Sequence, residues 1–352
     1  MAQTEWAREA LTAYDGAPLR IMEVCGIHTH EIFRQGLRAL LPPQVELISG
    51  PGCPVCVTPV SFLDEALLLA ERGVTICTFG DLVRVPGSVS SLAKARAAGA
   101  AVRVVYSPLD AVEVARTEPG TEVVFLSVGF ETTTPAACLA VKRAAELGLK
   151  NFSLLTANKT MPGAYRALKD SVDIYLYPGH VNAVTGTRLC ERLVDEGISG
   201  VVVGFTGVEL LTVLAVAVTK GGEGKPFFAN CYPRVVTREG SAAAQRLVAA
   251  LMEPCAVEWR GLGEIPDSGM RLRTDWAMFD TRRKFDIPPL SGRGNPACCC
   301  GDVLQGRCRP SDCPVFGRGC TPEHPVGACM VSGEGACSAY YQYGGGSLGS
   351  WQ

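Results

Sequence analysis

From residue 20 to about residue 232 the chain repeats one pattern. A short apolar run rich in Val and Ile ends at Gly, Ser or Thr, and a stretch of helical periodicity follows. The runs lie at 20–24, 45–49, 74–79, 102–106, 122–128, 152–156, 173–177, 201–205 and 226–231; short helical stretches such as 59–71, 136–147 and 187–196 come between them. Continuous apolar runs interleaved with helices predict an α/β fold with parallel sheets covered on both faces. Nine strands form one large sheet or two smaller ones. The turn-rich RTEPGT at 116–121 suggests a break, giving a first α/β lobe at 20–118 and a second at 119–232. Beyond 232 one helix, 241–252, precedes sequence rich in Gly, Pro and Arg. This third part, 233–352 with residues 1–19 packing on it, has too few periodic apolar positions to bury a core of its own. A bound metal cluster would supply the missing stabilisation.

Two apolar features change little. Residues 198–218 are apolar enough to suggest a membrane span, but four interruptions (Gly200, Gly204, Gly207 and Glu209) divide them into a buried strand and a buried helix. SVGFE at 127–131 and VVGFT at 202–206 each place Gly-Phe where a strand hands over to a helix. Such a glycine serves either tight packing or the approach of an anion to the helix N-terminus. Neither G-x-G-x-x-G nor G-x-x-x-x-G-K-[ST] follows any of the nine apolar runs, so the usual nucleotide fingerprints are missing.

The formal net charge is −2, which gives no reason to expect nucleic acid or an anionic membrane as partner. The N-terminal residues, MAQTEWAREALTAYDGA, do not read as a secretory signal, so a reducing cytoplasm is expected. That expectation decides how the sixteen cysteines are read. Eight of them fall within 298–337, a density that in a reducing compartment means metal or redox chemistry rather than disulfide staples.

Three motifs carry that chemistry. In EVCGIHTHE, 23–31, Cys25 ends the first strand at the start of a helix, where a thiol is expected to gain thiolate character; His28 follows on the same helix face. Thiolate with imidazole suits iron. In SGPGCPVCVTP, 49–59, Cys53 and Cys56 form a C-x-x-C at a strand–turn–helix junction, the setting of a redox dithiol, with half of a zinc site as the alternative. The third motif is spaced Cys298-x-Cys300-x12-Cys313-x6-Cys320-x8-Cys329-x7-Cys337, with Cys299 and Cys308 as extras. It contains no C-x-x-C knuckle, and six spaced cysteines exceed four by two. An iron–sulfur cluster plus a neighbouring dithiol fits better than structural zinc.

CGIHTH at 25–30, GPGCPVC at 50–56, GFETT at 129–133, PGHV at 178–181 and CTPEHPVGACMVSGEGAC at 320–337 together resemble the HypD family of hydrogenase maturation factors, over nearly the whole chain. The resemblance implies two α/β lobes and a C-terminal [4Fe–4S] part. It implies a scaffold for the Fe(CN)2CO unit of [NiFe]-hydrogenase, sharing Fe(II) with a HypC-type chaperone and receiving cyanide from a HypE-type thiocyanate carrier. Cys25 would be the iron ligand, with His28 beside it. By likeness to ferredoxin:thioredoxin reductase, Cys298, Cys313, Cys320 and Cys337 would hold the cluster. Cys300 with Cys329 would form the adjacent dithiol, and Cys53 with Cys56 the dithiol nearer the iron. Cys299 and Cys308 depart from the family pattern and are assigned as free thiols. They leave the ligand register at 298–300 open by one residue. Apart from these partners a monomer is expected. Two other classes stay in view: a stand-alone iron–sulfur dithiol/disulfide oxidoreductase, and a zinc-stabilised binding module.

Overall fold

The computed structural model describes residues 2–344. All nine apolar runs are strands: β1 (Leu19–Glu23), β2 (Val45–Ser49), β3 (Thr75–Thr78), β4 (Val102–Val104), β5 (Val123–Gly129), β6 (Phe152–Asn158), β7 (Ile174–Pro178), β8 (Ser199–Val203) and β9 (Phe228–Asn230). Two more, β10 (Met252–Trp259) and β11 (Gly263–Leu272), form an antiparallel hairpin in the stretch read as rich in Gly, Pro and Arg. Every residue of β5, β7 and β8 is buried, as for strands covered on both faces.

The nine strands make two parallel sheets, ordered β2-β1-β7-β8-β9 and β4-β3-β5-β6. This is the α/β architecture expected, but the sheets do not divide in chain order. β1 and β2 are completed by β7, β8 and β9, while residues 75–158 supply the whole four-stranded sheet. The break expected near 118 falls inside that sheet, between the helix Pro108–Thr117 and β5. The N-terminal helix Ala2–Thr12 also differs from expectation. It buries Ala7 and Leu11 against Leu210, Leu214 and Ala217 of the helix Gly207–Gly221, on the five-stranded sheet and not on the C-terminal part.

The helix Gly207–Gly221 illustrates how local sequence sets an element. Thr206 Oγ1 accepts the Glu209 N–H, and Glu209 Oε2 accepts the Phe205 and Thr206 N–H groups, a capping box that starts the helix directly after β8. No helix among the described residues is long and apolar enough to cross a membrane.

The C-terminal part shares its core with the lobes. The helix Ala242–Leu251 and the hairpin pack Leu251, Met252 and Leu272 with Phe125, Val141 and Leu154 of the four-stranded lobe. Arg282 reaches back to Glu65 through Nε and Nη2 and to the Thr156 carbonyl through Nη1. Cys300, Leu304, Cys320, Cys329, Met330 and Cys337 join one apolar cluster with Met22, Ile48, Cys56, Phe62 and Trp259. The cysteine loops meet the carboxyl ends of β1 and β2, where Glu334 abuts Gly26 and Gly306 abuts Ile48. The expected lack of apolar partners is met by the lobes themselves.

Candidate iron and thiol site

β1 ends at Glu23, and Cys25 is the N-cap of the helix Gly26–Arg34. The β2 end lies against it: Gly26 N–H donates to the Gly52 carbonyl at 3.4 Å, and a Cβ at Gly52 would lie 2.1 Å from the Cys25 nitrogen. Only glycine allows that approach, which explains the GPGCPVC spelling. On the other side a Cβ at Gly26 would strike Glu334, in the turn between Cys329 and Cys337. Ser332 Oγ in that turn donates to Asp81 Oδ2 at 2.9 Å, fastening it to the four-stranded lobe. Phe33 and Tyr340, edge to face at 4.6 Å, hold the helix Gly26–Arg34 to the helix Ala336–Tyr343.

Cys25 is buried, 3% exposed. Burial pushes its thiol up to about 12, and the Glu334 and Glu23 carboxyls reinforce this; the Ile27 and His28 N–H groups offset only part. The thiolate expected from the helix N-terminus is therefore not favoured in the metal-free chain. Desolvation outweighs the field of one helix end. A thiolate at this position would need a cation beside it. Glu23 is fully buried; its Oε1 accepts the Thr29 hydroxyl at 2.5 Å, and its carboxyl is lifted to about 7 by burial.

His28 is fully buried, with Nε2 2.9 Å from the Gly204 carbonyl. That carbonyl can only accept, so Nε2 carries the proton and Nδ1 keeps a bare lone pair. Nδ1 is shut off from solvent and has no partner, as is Nδ1 of His180. Both rings lie about 5 Å from the Phe205 ring, at 5.0 and 5.2 Å. His180 had no assigned role in the sequence reading. The signal was there: a strand-end PGHV holding one of only four histidines. Glu334 and Asp81 were missed too, because nothing local in sequence links them to Cys25, whereas Glu23 stood inside the EVCGIHTHE motif without a role.

These burials predict a distinctive pH profile for the metal-free chain. Burial lowers His28 to about 3 and His180 to about 4, from an ordinary 6.5, so below 6.5 the unfolded chain binds more protons and their contribution falls as pH falls. Burial raises Glu23 and Glu131 to about 7 from 4.5, so between those values the folded chain holds the protons and their contribution falls as pH rises. Two groups of each sign oppose each other between pH 4.5 and 6.5, and stability there should be nearly flat. Below 4.5 the carboxyl terms vanish and stability should drop, by roughly 1.4 kcal/mol per pH unit for each uncompensated proton. Urea unfolding at a series of pH values tests this; a steady rise from 4.5 to 6.5 would contradict it.

The thiols of Cys53, Cys56, Cys329, Cys300 and Cys298 form a line of contacts. Cys53 Sγ accepts the Cys56 N–H at 3.3 Å, and the Cys56 thiol meets both Cys53 and Cys329. Cys329, fully buried, also meets Cys300 and Cys337, and Cys300 meets Cys298. Burial, then proximity to Cys53 and Cys300, raises Cys56 well above the ordinary thiol range despite its contact with Cys329. The Cys300 contact, then burial, raises Cys298.

The four cysteines expected to hold a cluster are not arranged alike. Cys298 and Cys337 interact directly with Cys300, Cys313 interacts with Cys299, and Cys320 and Cys308 act on these thiols only through the field of their charges. Among the described residues no three His, Cys, Asp or Glu side chains are gathered tightly enough for a single metal ion. The surroundings do suit sulfur. Val326 N–H donates to Cys320 Sγ at 3.3 Å, and a Cβ at Gly327 would stand 2.6 Å from Cys298 Sγ. The donor set is thus soft, and its backbone is cut away where the sulfurs lie; it fits an iron–sulfur cluster in kind. Arg260, held by the Thr58 carbonyl at 2.8 Å, is the nearby cation that opposes the rise at Cys298.

A family profile described as "HypD: Hydrogenase formation hypA family" matches residues 3–344. A protein of Rhodobacter capsulatus named hydrogenase maturation factor HypD is 47% identical over 339 residues, 93% of this chain and 90% of the relative. Proteins of the same name from Azotobacter vinelandii and Escherichia coli K12 are 44% and 42% identical, over 96% and 93% of this chain and 93% and 89% of their own lengths. With the motif cysteines, the strand-end histidines and the glycine contacts around Cys25 all inside the matched span, the chain belongs to the HypD family of hydrogenase maturation factors.

Proposed function

We propose that this chain is the scaffold and redox protein on which the Fe(CN)2CO unit of [NiFe]-hydrogenase is assembled. It would work with a HypC-type chaperone and receive cyanide from a HypE-type thiocyanate carrier, in the cytoplasm. The supporting observation is the line of thiol contacts from Cys298 through Cys300, Cys329 and Cys56 to Cys53, ending where Gly52 abuts the Cys25 backbone.

In this reading Fe(II) is cargo. Cys25 binds it as thiolate and the chaperone supplies a second sulfur. His28, neutral with a free Nδ1 lone pair, positions a ligand or takes a proton. Releasing cyanide from a thiocyanate takes two electrons. The S–CN bond breaks, the carrier leaves as thiolate, and cyanide goes to the iron. Cys53 and Cys56 supply the pair by joining as a disulfide and giving up their two protons. Cys329 and Cys300 restore them by thiol–disulfide exchange along the line of contacts. Cys298, Cys313, Cys320 and Cys337 would hold a [4Fe–4S] cluster, which when bound supplies single electrons.

The stand-alone oxidoreductase is the weaker reading. Cys53 and Cys56 are 3% and 0% exposed, and a general disulfide reductase needs a reachable attacking thiol. Anaerobic purification with iron, sulfide and zinc analysis tests the electron supply. About four iron and four sulfide per chain are expected; a colourless protein holding about one zinc and no sulfide would overturn it.

A further inference from the structure

Arg260 opens the turn between β10 and β11. Its backbone N–H donates to the Val57 carbonyl at 2.8 Å, and its Nε donates to the Thr58 carbonyl at 2.8 Å. It is thereby fastened to the end of the helix Pro54–Val57, which carries Cys56. The next residue, Gly261, has φ +85°, and a Cβ there would lie 2.5 Å from the Gly301 Cα, in the helix Cys300–Leu304. Only glycine lets the turn sit so close to the cysteine helix. Arg260 is thus held between the helices of Cys56 and Cys300, and it lines one cavity of about 610 Å³ together with Cys298 and Cys300.

This guanidinium has no anion of its own. Arg260 forms no ion pair among the described residues, and its Nη2 is closed to solvent and meets no acceptor. The carboxylate on the same lining, Glu258, is exposed, so water and salt screen it. A partly buried cation left unpaired costs free energy, and a negative charge nearby offsets that cost. The charge within reach is carried by sulfur. The field of Arg260 acts on Cys298, one of the four cysteines expected to hold a cluster. A [4Fe–4S] core held by four thiolates is anionic and gains one more negative charge when reduced, and its potential follows the charges around it.

We infer that Arg260 is the counter-ion of this cluster and raises its reduction potential, a positioning residue that acts on the electron supply without being a ligand. The inference rests on the cluster of the proposed function. A fixed positive charge in a poorly solvated site favours the more negative of two redox states, so it draws electrons onto the cluster. Its backbone bond to Val57 and its Nε bond to Thr58 keep that charge from swinging out to solvent.

The test is an anaerobic titration of the full chain with dithionite, read by the paramagnetic resonance of the reduced cluster, in Arg260→Gln and Arg260→Lys. At the potential where the unaltered cluster is half reduced, the ratio of reduced to oxidised cluster should fall about tenfold in Arg260→Gln, a midpoint lower by about 59 mV for a one-electron couple. Arg260→Lys keeps the charge and should stay within about threefold of the unaltered chain. Lost packing alone would lower the melting temperature of both variants and leave the midpoint where it was. A cluster lost from Arg260→Gln but kept by Arg260→Lys would also support the counter-ion assignment. An unchanged or higher midpoint in Arg260→Gln, equal midpoints in the two variants, or loss of the cluster from both would overturn it. An unaltered chain without iron and sulfide would overturn the proposed cluster itself, and this inference with it.

Discussion

On the proposed reading, a Cys25→Ser chain co-purified anaerobically with a HypC-type chaperone is expected to show none of the infrared cyanide and carbonyl bands expected of the unaltered pair. The reason is ligand chemistry. Serine is as good a helix N-cap as any residue and nearly isosteric with cysteine, so the helix Gly26–Arg34 should keep its start and global stability should change by about 1 kcal/mol or less. What is lost is a soft sulfur donor. A hydroxyl in the same buried place, beside Glu23 and Glu334, is far harder to ionise than a thiol already pushed up to about 12. The same cause makes iron uptake by the unaltered chain pH-dependent, since each ion that binds Cys25 expels a proton; affinity should rise as pH rises. Persistence of both bands in the serine variant would remove Cys25 from the role of iron ligand.

Much of this arrangement is written locally, and the unread parts are those set by distance. The nine parallel strands are legible because each is a continuous apolar run ending at a small residue. Their partition is not. β1 pairs with β7 across about 150 residues of chain, and no local feature of 116–121 says that β5 will side with β3. The hairpin was hidden for another reason. In β10 only Met252 and Trp259 are fully buried, with half-buried residues alternating with exposed ones between them, and Pro254 interrupts the run. A strand covered on one face has half the apolar signal of one covered on both.

The site divides in the same way. Cys25, Cys53 and Cys56 announce themselves by glycine-rich strand ends, and the C-terminal cysteines by density. Yet the thiolate character expected of Cys25 depends on burial by Glu334 and the 332–335 turn, some 300 residues away. The meeting of Cys313 with Cys299 depends on side-chain packing that spacing cannot express.

The most informative single change in the thiol line is Cys329→Ser. Among the described thiols Cys329 alone bridges the two ends, meeting Cys56 on one side and Cys300 and Cys337 on the other. On the proposed reading it holds no iron, so the variant should keep about four iron and four sulfide per chain. It should nonetheless strand the dithiol at the far end. After one oxidation Cys53 and Cys56 could no longer be returned to thiols through the protein, because a serine hydroxyl neither attacks a disulfide nor forms one. The expected result is hydrogenase maturation cut by at least about a hundredfold, nearly 3 kcal/mol on the scale where each tenfold is about 1.4. Oxidising the chain, reducing its cluster while folded, then alkylating in denaturant with mass analysis reads the step itself. Cys53 and Cys56 should be labelled in the unaltered chain and remain unlabelled in the variant. Loss of iron and sulfide would instead make Cys329 a ligand and redraw the set of four. Full labelling in the variant would mean that electrons reach Cys53 and Cys56 by another route, and the line of contacts would be packing alone.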